Sequence, residues 1–190
     1  MSIWFLFTQS IAWICLGFLI LLFLILLSPP SIRKLTSHPR PVANYEEALR
    51  RIVAIQAEQV SALNPACVMQ FMTHGQMAER AIVFAHGFTN CTKQFQILGE
   101  AFYQSGYNVL IPLLPYHGLA DRMTTEQRRL SVKELVEYAD TIVDIARGLG
   151  KQVVVVGLSG GGVITAWAAQ HRSDLDLAVL ISPAFSWYHI

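Results

Sequence analysis

Apolar residues recur with two different periods along the second half of the chain. Continuously apolar runs occupy 81–85, 153–156 and 177–181, and the run 108–114 is apolar after Asn108. The segments between these runs carry apolar residues at every third or fourth position. Continuous runs of this length predict strands buried on both faces, and the longer period predicts amphipathic helices. Strands that alternate with helices form a mostly parallel sheet with helices on both faces, so the predicted fold class is α/β.

The helices of this half have recognisable ends. Ser131 and Glu134 form a capping-box pattern before a helix that runs to about Leu149. Two further helices are predicted from about 92 to 104 and from about 160 to 171. Each of these lies between two of the apolar runs, which supports the alternation of strand and helix.

The earlier part of the chain divides into segments of different character. Residues 28–43 contain four prolines and no periodicity, which predicts a linker. It is a juxtamembrane linker if the apolar segment before it, described below, spans a membrane. Asn44 and Glu47 form a second capping-box pattern at the start of an amphipathic helix over 44–64. We assign 65–190 to one α/β domain.

A long apolar segment precedes the linker. No Asp, Glu, Lys or Arg occurs before Arg33, and 11–27 is apolar almost throughout. As a helix, 3–27 would be roughly 37 Å long, enough to cross a hydrocarbon core of about 30 Å. The expectation is one transmembrane anchor over 1–27, which contacts the lipid bilayer through 3–27.

The flanks of this segment bear on its orientation. A cleaved signal peptide would need a basic region before the apolar run, and none is present. Arg33, Lys34 and Arg40 follow the run, so the positive-inside rule places the rest of the chain in the cytoplasm. The predicted localisation is the membrane, with a single span and a cytoplasmic domain.

Composition excludes several classes of protein. Hydrophobic residues make up 53% of the chain and charged residues 14%, with a net charge of +1, which argues against disorder and against a nucleic-acid partner. No cluster of His, Cys, Asp and Glu has metal-ligand spacing, and no cofactor is predicted. The sequence makes no prediction of oligomeric state.

Cysteine spacing says little about the redox compartment. The three cysteines form neither a CxxC pair nor an even-numbered disulfide framework. We interpret Cys67 and Cys91 as small buried hydrophobic residues, with a disulfide between them as the alternative.

The stretch VVVVGLSGGG, residues 153–162, points to a reaction. Gly157, Ser159 and Gly161 fit the pattern G-x-S-x-G between a predicted strand and a predicted helix. Small residues two before and two after the serine let strand and helix approach closely, and the tight turn lifts the hydroxyl above the sheet. The exposed hydroxyl makes Ser159 a candidate nucleophile. The dipole at the N-terminus of the following helix favours the negative charge that would develop beside it.

A second loop is predicted at the same edge of the sheet. Residues 85–89, AHGFT, end one of the predicted strands, and the carboxyl ends of parallel strands meet at one edge. The backbone N–H groups of Phe88 and Gly160 are therefore candidate donors of an oxyanion hole.

Three motifs, in this order, are similar to those of the α/β-hydrolase family, in particular its branch of monoacylglycerol lipases, carboxylesterases and serine-aminopeptidase-like hydrolases. They are HGFT from His86, LPYHGLADR from Leu114 and GLSGGG from Gly157. The resemblance covers roughly 65–190. It implies the α/β-hydrolase fold, with Ser159 as the nucleophile.

The resemblance also implies supporting roles around the serine. These fall to His86, Gly87, Gly157 and Gly161, and a structural role is implied for His117 as well. Tyr116 stands where the family usually has a glycine.

The family completes its catalytic triad with an acid and a histidine that follow two further strands. Because the sequence ends at Ile190, the resemblance implies an N-terminal portion in which the last two strands and the cap are absent. The run 177–181 is then expected to be an uncovered edge strand. The triad acid and histidine would lie outside this chain, and the fragment by itself is expected to be inactive.

Other residues of the chain are poor substitutes for that pair. His171 would lie about 18 Å from Ser159 along the intervening helix. His189 could reach the serine only in an unusual topology, and Asp174 and Asp176 are interpreted as solvated loop residues.

The hypothesis is a membrane-anchored serine hydrolase that acts on carboxylic esters, of lipids or of small acyl groups, through an acyl-enzyme at Ser159. The alternative is a catalytically inactive, membrane-tethered scaffold or binding protein. A nucleotide-binding turn is disfavoured, because GLSGGG lacks both the GK[ST] ending and the G-x-G-x-x-G register.

Overall fold

The computed structural model describes residues 3–27, 35–58, 63–121 and 123–185, and only the backbone of 3–12. Arg33, Lys34, His189 and the last part of the predicted 44–64 helix, 59–62, lie outside the described residues. The chain forms two compact units, Met1–Leu35 and Thr36–Ile190.

The first unit contains helix α1, Ile3–Leu27. Its described side chains, 13–27, are all exposed. Within the part of the chain that the structure describes, no helix is long and apolar enough to cross a membrane. The transmembrane anchor expected over 1–27 is therefore not supported by the structure.

The second unit is built on a five-stranded sheet. Its strands are β1 (Gln70–Met72), β2 (Ala78–Ala85), β3 (Tyr107–Ile111), β4 (Gly150–Leu158) and β5 (Leu177–Ile181). The order in space is β1-β3-β2-β4-β5, with β1 antiparallel to β3 and all other neighbours parallel. The predicted mostly parallel sheet is confirmed.

Helices surround this sheet. They are α2 (Tyr45–Glu58), α3 (Gln96–Gln104), α4 (Val132–Leu149) and α5 (Gly160–His171). Short 3-10 helices lie at Pro65–Cys67, Thr92–Phe95 and Glu126–Arg129. The capping box before α4 is present, since the Glu134 N–H donates to Ser131 Oγ and the Ser131 N–H donates to the Glu134 carboxylate.

Alternate residues of the strands fill a core on each face of the sheet. In β2, Ala81 and Val83 pack in a cluster with α2, α4 and α5, whereas Ile82 and Phe84 pack in a cluster with α3. All four side chains are almost completely buried. Helices on both faces, as predicted, are what allow the strands to be apolar at every position.

Helix α2 packs closely on α4. Ala48 and Ile52 of α2 are buried. A Cβ placed on Gly148 would lie 2.9 Å from the Ala48 Cβ and 2.6 Å from the carbonyl oxygen of Asn44, which is too close for any side chain. The glycine in α4 therefore sets the distance between the two helices.

The chain that leads into α2 is bound to α4. The His38 N–H donates to the Asp140 carboxylate at 2.7 Å, and the Arg40 N–H donates to the Asp144 carboxylate at 2.9 Å. The described part of 28–43 is therefore held against the fold, although its sequence has the composition of a linker.

One buried arginine pairs with the carboxylates that hold this segment. The guanidinium of Arg172, whose side chain is fully buried, lies 2.6 Å from Asp144, 2.8 Å from Asp174 and 3.3 Å from Asp140. The hydrogen bond from Arg172 lowers the pKa of Asp174, whereas burial raises the pKa of Asp144. The Asp144 carboxylate thus depends on Arg172 to remain charged in the interior.

Cys67 and Cys91 form a disulfide, with their Cα atoms 5.4 Å apart. The interpretation of the two residues as unpaired buried hydrophobes is therefore wrong, and the alternative pairing is observed. They are 24 residues apart in sequence, and they meet because the 3-10 helices Pro65–Cys67 and Thr92–Phe95 contact each other. Cys15 is exposed and unpaired.

Strand β5 presents apolar side chains at the edge of the sheet. Leu177, Val179, Leu180 and Ile181 are all exposed. An exposed edge strand can pair with a further strand, and its apolar side chains can pack against further residues. Strand β5 is therefore suited to contact additional polypeptide.

Replacement of the buried arginine should be strongly destabilising. We expect Arg172→Met to lower the free energy of unfolding by about 3 to 5 kcal/mol, because it removes the buried cation that offsets the charge of the Asp140 and Asp144 carboxylates. Lys133→Met is the matched control, since Lys133 and Glu137 form a solvent-exposed pair at 3.5 Å and such pairs contribute less than about 1 kcal/mol. Urea unfolding of both variants measures the difference, and equal losses would contradict this account.

The disulfide predicts the number of reactive thiols. Alkylation of the denatured protein without reductant should modify Cys15 alone, and alkylation after reduction should modify all three cysteines. Intact-mass spectrometry counts the added groups. Three modified cysteines in unreduced protein from an oxidising preparation would exclude the bond.

Candidate active site

Ser159 occupies a sharp turn between a strand and a helix. Strand β4 ends at Leu158 and α5 begins at Gly160. Ser159 has φ 54° and ψ −114°, a conformation that residues other than glycine rarely adopt. A serine held in such backbone geometry is a feature of functional sites, where the surrounding structure compensates for the strain.

The glycines on either side make this turn possible. A Cβ on Gly157 would collide with the backbone of Gly161 and with Thr165 Oγ1, and a Cβ on Gly161 would collide with the carbonyl group of Ala85. The Thr165 hydroxyl also donates to the Gly161 carbonyl at 2.9 Å. Strand and helix are therefore in backbone contact, as the G-x-S-x-G pattern predicts.

Backbone hydrogen bonds fix Ser159 on both sides. Its N–H donates to the Ile181 carbonyl at 3.0 Å, and its carbonyl accepts from Val163 and Ala184 at 3.2 Å each. The side chain is half-buried, and among the described residues its hydroxyl has no hydrogen-bond partner. The hydroxyl is accessible while the backbone beneath it is held firmly.

The loop after β2 lies beside this turn. Ala85 of β2 is paired with Gly157 of β4, so the two loops leave neighbouring strands at the same edge. A Cβ on Gly87 would lie 3.6 Å from the Ser159 Cβ, and a Cβ on Gly160 would lie 3.3 Å from the Phe88 nitrogen. The two segments singled out in the sequence are therefore in contact.

Two backbone N–H groups next to the serine have no acceptor among the residues that the structure describes. The Phe88 N–H makes no hydrogen bond with any described residue. Gly160 is the first residue of α5, where the helix offers its N–H no acceptor. The positive end of the helix dipole lies at the same place, so the environment suits an anionic oxygen.

Neighbouring side chains hold the 86–89 loop in this position. The Gly87 N–H donates to Gln94 Oε1 at 2.8 Å. His86 Nε2 accepts from the Leu114 N–H at 3.1 Å, so its proton is on Nδ1, which donates to the Gly87 carbonyl at 2.9 Å. Gln94 was not predicted, because nothing in the helical pattern around it distinguishes it from a surface residue.

Burial keeps the His86 ring neutral. The ring is fully buried, and burial is the main cause that lowers its pKa from 6.5 to about 4. Because Nε2 is already an acceptor for a backbone N–H, His86 is not free to take a proton from Ser159. His86 therefore supports the loop, and the structure gives it no contact suited to a general base.

His117 also lies at this loop. It is 1% exposed, and its Nε2 lies 2.7 Å from the carbonyl oxygen of Phe88. The preceding residue, Tyr116, has φ 62°, which explains why a glycine is usual there. The loop from Leu114 and the loop from His86 are thus connected directly.

The other candidates lie away from the serine. His171 stacks on Trp167, with ring centroids 3.6 Å apart, at the far end of α5. Asp174 pairs with buried Arg172, which the sequence-based interpretation as a solvated loop residue did not anticipate. Asp176 accepts from the Val153 N–H at 2.7 Å, at the opposite end of β4 from Ser159.

None of the histidines that the structure describes forms a hydrogen bond with Ser159. Within the same described ranges, no group of three or more His, Cys, Asp and Glu residues could hold a metal ion. The site as described thus consists of a serine hydroxyl and two neighbouring backbone N–H groups.

A parallel sheet covered on both faces, with a strained serine between a strand and a helix, defines the α/β-hydrolase class of protein. A family model described as serine aminopeptidase, S33, matches residues 76–189, which is more than half of the chain. The chain belongs to this family of α/β hydrolases.

Individual relatives are similar over the same region. A thermostable monoacylglycerol lipase from Bacillus sp. (strain H-257) is 28% identical over 109 residues, which are 54% of this chain and 40% of that protein. Phospholipase YtpA from Bacillus subtilis (strain 168) is 29% identical over 102 residues, which are 53% of this chain and 39% of that protein. The chain thus spans well under half the length of these two curated relatives.

A solved structure from work on LipS and LipT, two metagenome-derived lipolytic enzymes, is 24% identical with a TM-score of 0.49. The alignment covers 60% of this chain and 44% of that one.

The neutral state of His86 predicts a pH dependence of folding. The unfolded chain binds a proton at this residue below about pH 6.5, whereas the folded protein does so only near pH 4. The contribution of neutral His86 to stability is therefore complete above pH 6.5 and is lost as the pH falls towards 4. The free energy of unfolding, measured between these pH values, should fall less steeply in His86→Gln than in the wild type. If the free energy of unfolding depends on pH equally in the wild type and in His86→Gln, the lowered pKa of His86 is contradicted.

Proposed function

We propose that the protein is a serine hydrolase that cleaves carboxylic esters of lipids or small acyl groups. The observation that carries the proposal is the strained backbone of Ser159, which presents its hydroxyl beside the N–H of Phe88, both of them without a hydrogen-bond partner in the described part of the chain. This combination suits attack on an acyl carbon, because the reaction needs a nucleophile and stabilisation of an oxyanion at neighbouring positions.

The reaction would proceed in two halves. Ser159 Oγ attacks the ester carbonyl carbon while a histidine takes the hydroxyl proton, and the resulting oxyanion accepts hydrogen bonds from the N–H groups of Phe88 and Gly160. Collapse of this intermediate breaks the bond to the alcohol, which leaves with the proton from the histidine. Water then attacks the acyl-enzyme by the same route and releases the carboxylic acid.

The proton acceptor and its acid partner are proposed to lie in polypeptide outside these 190 residues. His86 and His117 are both buried and bonded to backbone groups of the loops. The exposed apolar side chains of β5 support the proposal, since further strands would pack there. These 190 residues alone should hydrolyse esters very slowly, because serine is a weak nucleophile without its base.

The acyl-lipid part of the proposal draws on the relatives, which are named a monoacylglycerol lipase and a phospholipase. A bilayer contact through residues 3–27 would suit such substrates and stays a prediction from sequence.

Two features of the chain bear on the cellular compartment, the disulfide and the basic residues after the apolar segment. The disulfide between Cys67 and Cys91 favours an oxidising compartment for the hydrolase domain, since cytosolic thiols are kept reduced. The basic residues after the apolar segment favour the cytoplasm. We propose that the hydrolase domain lies in an oxidising compartment, because the disulfide requires a specific contact between two loops, whereas the positive-inside rule rests here on three basic residues.

A covalent probe tests the nucleophile. In the natural full-length protein, we expect a fluorophosphonate to label Ser159 and Ser159→Ala to abolish both labelling and ester hydrolysis, with a loss of about a thousandfold or more in kcat. Ser105→Ala is the matched control, since the exposed Ser105 hydroxyl donates to the Ala101 carbonyl of its own helix at 2.8 Å, and it should label like the wild type. Absence of labelling in the folded wild type would favour the inactive scaffold.

A further inference from the structure

We propose that the disulfide between Cys67 and Cys91 positions the loop that carries the Phe88 N–H, so that reduction of the disulfide lowers the rate of ester hydrolysis. The effect on rate rests on the proposed function, whereas the effect of the bond on the loop can be measured without it. The loop runs from the end of β2 to the disulfide, over residues 86–91.

A tight turn joins the oxyanion donor to the disulfide. Cys91 is the third residue after Phe88. The Asn90 N–H donates to the Gly87 carbonyl at 3.0 Å, and the Cys91 N–H donates to Asn90 Oδ1 at 3.0 Å. The Gly87 carbonyl and the Phe88 N–H belong to one peptide plane. The turn that holds this plane therefore ends at the cysteine.

The chain beyond the disulfide returns to the same peptide. The Gln94 N–H donates to the Cys91 carbonyl at 3.0 Å, at the 3-10 helix Thr92–Phe95. The Gln94 side chain then accepts from the Gly87 N–H at 2.8 Å. A shift of Cys91 would therefore move residues that hold Gly87 from both sides.

The partner cysteine is held by the loop after β3. The Asn64 N–H donates to the Gly118 carbonyl at 2.8 Å, and Leu63 forms an isolated bridge with Leu119. A Cβ on Gly118 would lie 2.8 Å from the Cys67 Cβ, which leaves no room for a side chain at residue 118. Cys67 thus has a fixed position from which the bond can hold the loop after β2.

Few other contacts join these two segments. The Thr92 hydroxyl donates to the Val68 carbonyl at 2.8 Å, and this is the one hydrogen bond between 63–68 and 86–95 among the described residues. The net strength of such a bond is small, because both groups can bind water instead. The disulfide is therefore the main constraint between the two segments.

The bond is placed where a reductant can reach it. Both cysteines line an open cavity of about 470 Å³, together with Thr89, Asn90 and Lys93. Attack by a thiolate requires access to one of the two sulfur atoms. A small dithiol can enter a cavity of this size.

Reduction by a dithiol is a two-electron step. A thiolate of the dithiol attacks one sulfur atom, the bond between Cys67 and Cys91 breaks, and one cysteine leaves as a thiolate while a mixed disulfide forms on the other. The second thiol of the dithiol then attacks the mixed disulfide and releases the second cysteine. The dithiol is oxidised to a cyclic disulfide, and its two protons remain on the two cysteines.

Reduction should lower kcat with little effect on KM. The Phe88 N–H would bind an oxyanion that develops only as the transition state forms, so its direction affects the reaction more than substrate binding. Removal of a whole oxyanion donor costs about a hundredfold to a thousandfold in kcat. His86, Gln94 and His117 still hold the loop after reduction, so we expect a smaller loss, of roughly tenfold.

Kinetics of the natural full-length protein on a p-nitrophenyl ester test the effect on rate. Dithiothreitol should lower kcat roughly tenfold, and reoxidation should restore it. Intact mass of an alkylated sample confirms that the bond has opened. The double variant Cys67→Ala/Cys91→Ala should have the lower kcat from the start and should not respond to dithiothreitol. Cys15→Ala is the matched control, since Cys15 is exposed and unpaired, and it should respond like the wild type.

Three kinetic outcomes would overturn the proposal. The first is a reduced protein that keeps the kcat of the oxidised protein. The second is a double variant that responds to dithiothreitol as the wild type does, because another thiol would then be responsible. The third is unfolding on reduction, seen by circular dichroism of the same samples, because the bond would then act on stability alone.

Hydrogen exchange observes the loop without any assay of activity. The Asn90 N–H is hydrogen bonded within the turn, so its exchange with solvent should become at least roughly tenfold faster on reduction. The Ser105 N–H, hydrogen bonded at the end of α3, should exchange at an unchanged rate. An unchanged rate for Asn90 overturns the proposal. If Ser159→Ala is as active as the wild type, the proposed function fails, and the exchange rates still decide whether the disulfide holds the loop.

Discussion

The backbone contact between β4 and α5 is the constraint on which the rest of the site depends. Gly161 lies so close to the Ala85 carbonyl, and Gly157 so close to Gly161, that no side chain fits at either position. This closeness forces Ser159 into positive φ and lifts its hydroxyl out of the sheet. It also brings the helix N-terminus and the loop after β2 to one point, where the N–H groups of Phe88 and Gly160 find no acceptor within the described ranges.

Order around this point comes from polar groups that bind backbone. Gln94, His86 and His117 each form a hydrogen bond with a backbone group of the 86–89 loop or of the loop from Leu114. These bonds fix the direction of the Phe88 N–H, which itself forms no hydrogen bond with a described residue. Such buried networks are costly when a partner is missing, so the neutral state of the buried His86 ring is part of the architecture.

A second polar network lies at the other end of α5 from Ser159. Arg172 joins Asp140 and Asp144 of α4, and the same two carboxylates accept from the chain that leads into α2. Helix α2 is thereby added to a core that already contains α4 and α5. Helix α2 thus packs on α4, with Ala48 and Ile52 in the shared core.

Patterns in the sequence predict the succession of strands and helices along the chain, the turn at Ser159 and the loop around Phe88. They can do so because periodicity and glycine spacing are local properties of the chain. The disulfide between Cys67 and Cys91, the contact of Gln94 with Gly87 and the bonds of Arg172 were decided only by the tertiary structure. Each of these depends on side-chain direction or on which loops become neighbours once the sheet has formed. A pattern along the chain contains neither, so the sequence predicts where chemistry can occur and the fold decides which groups support it.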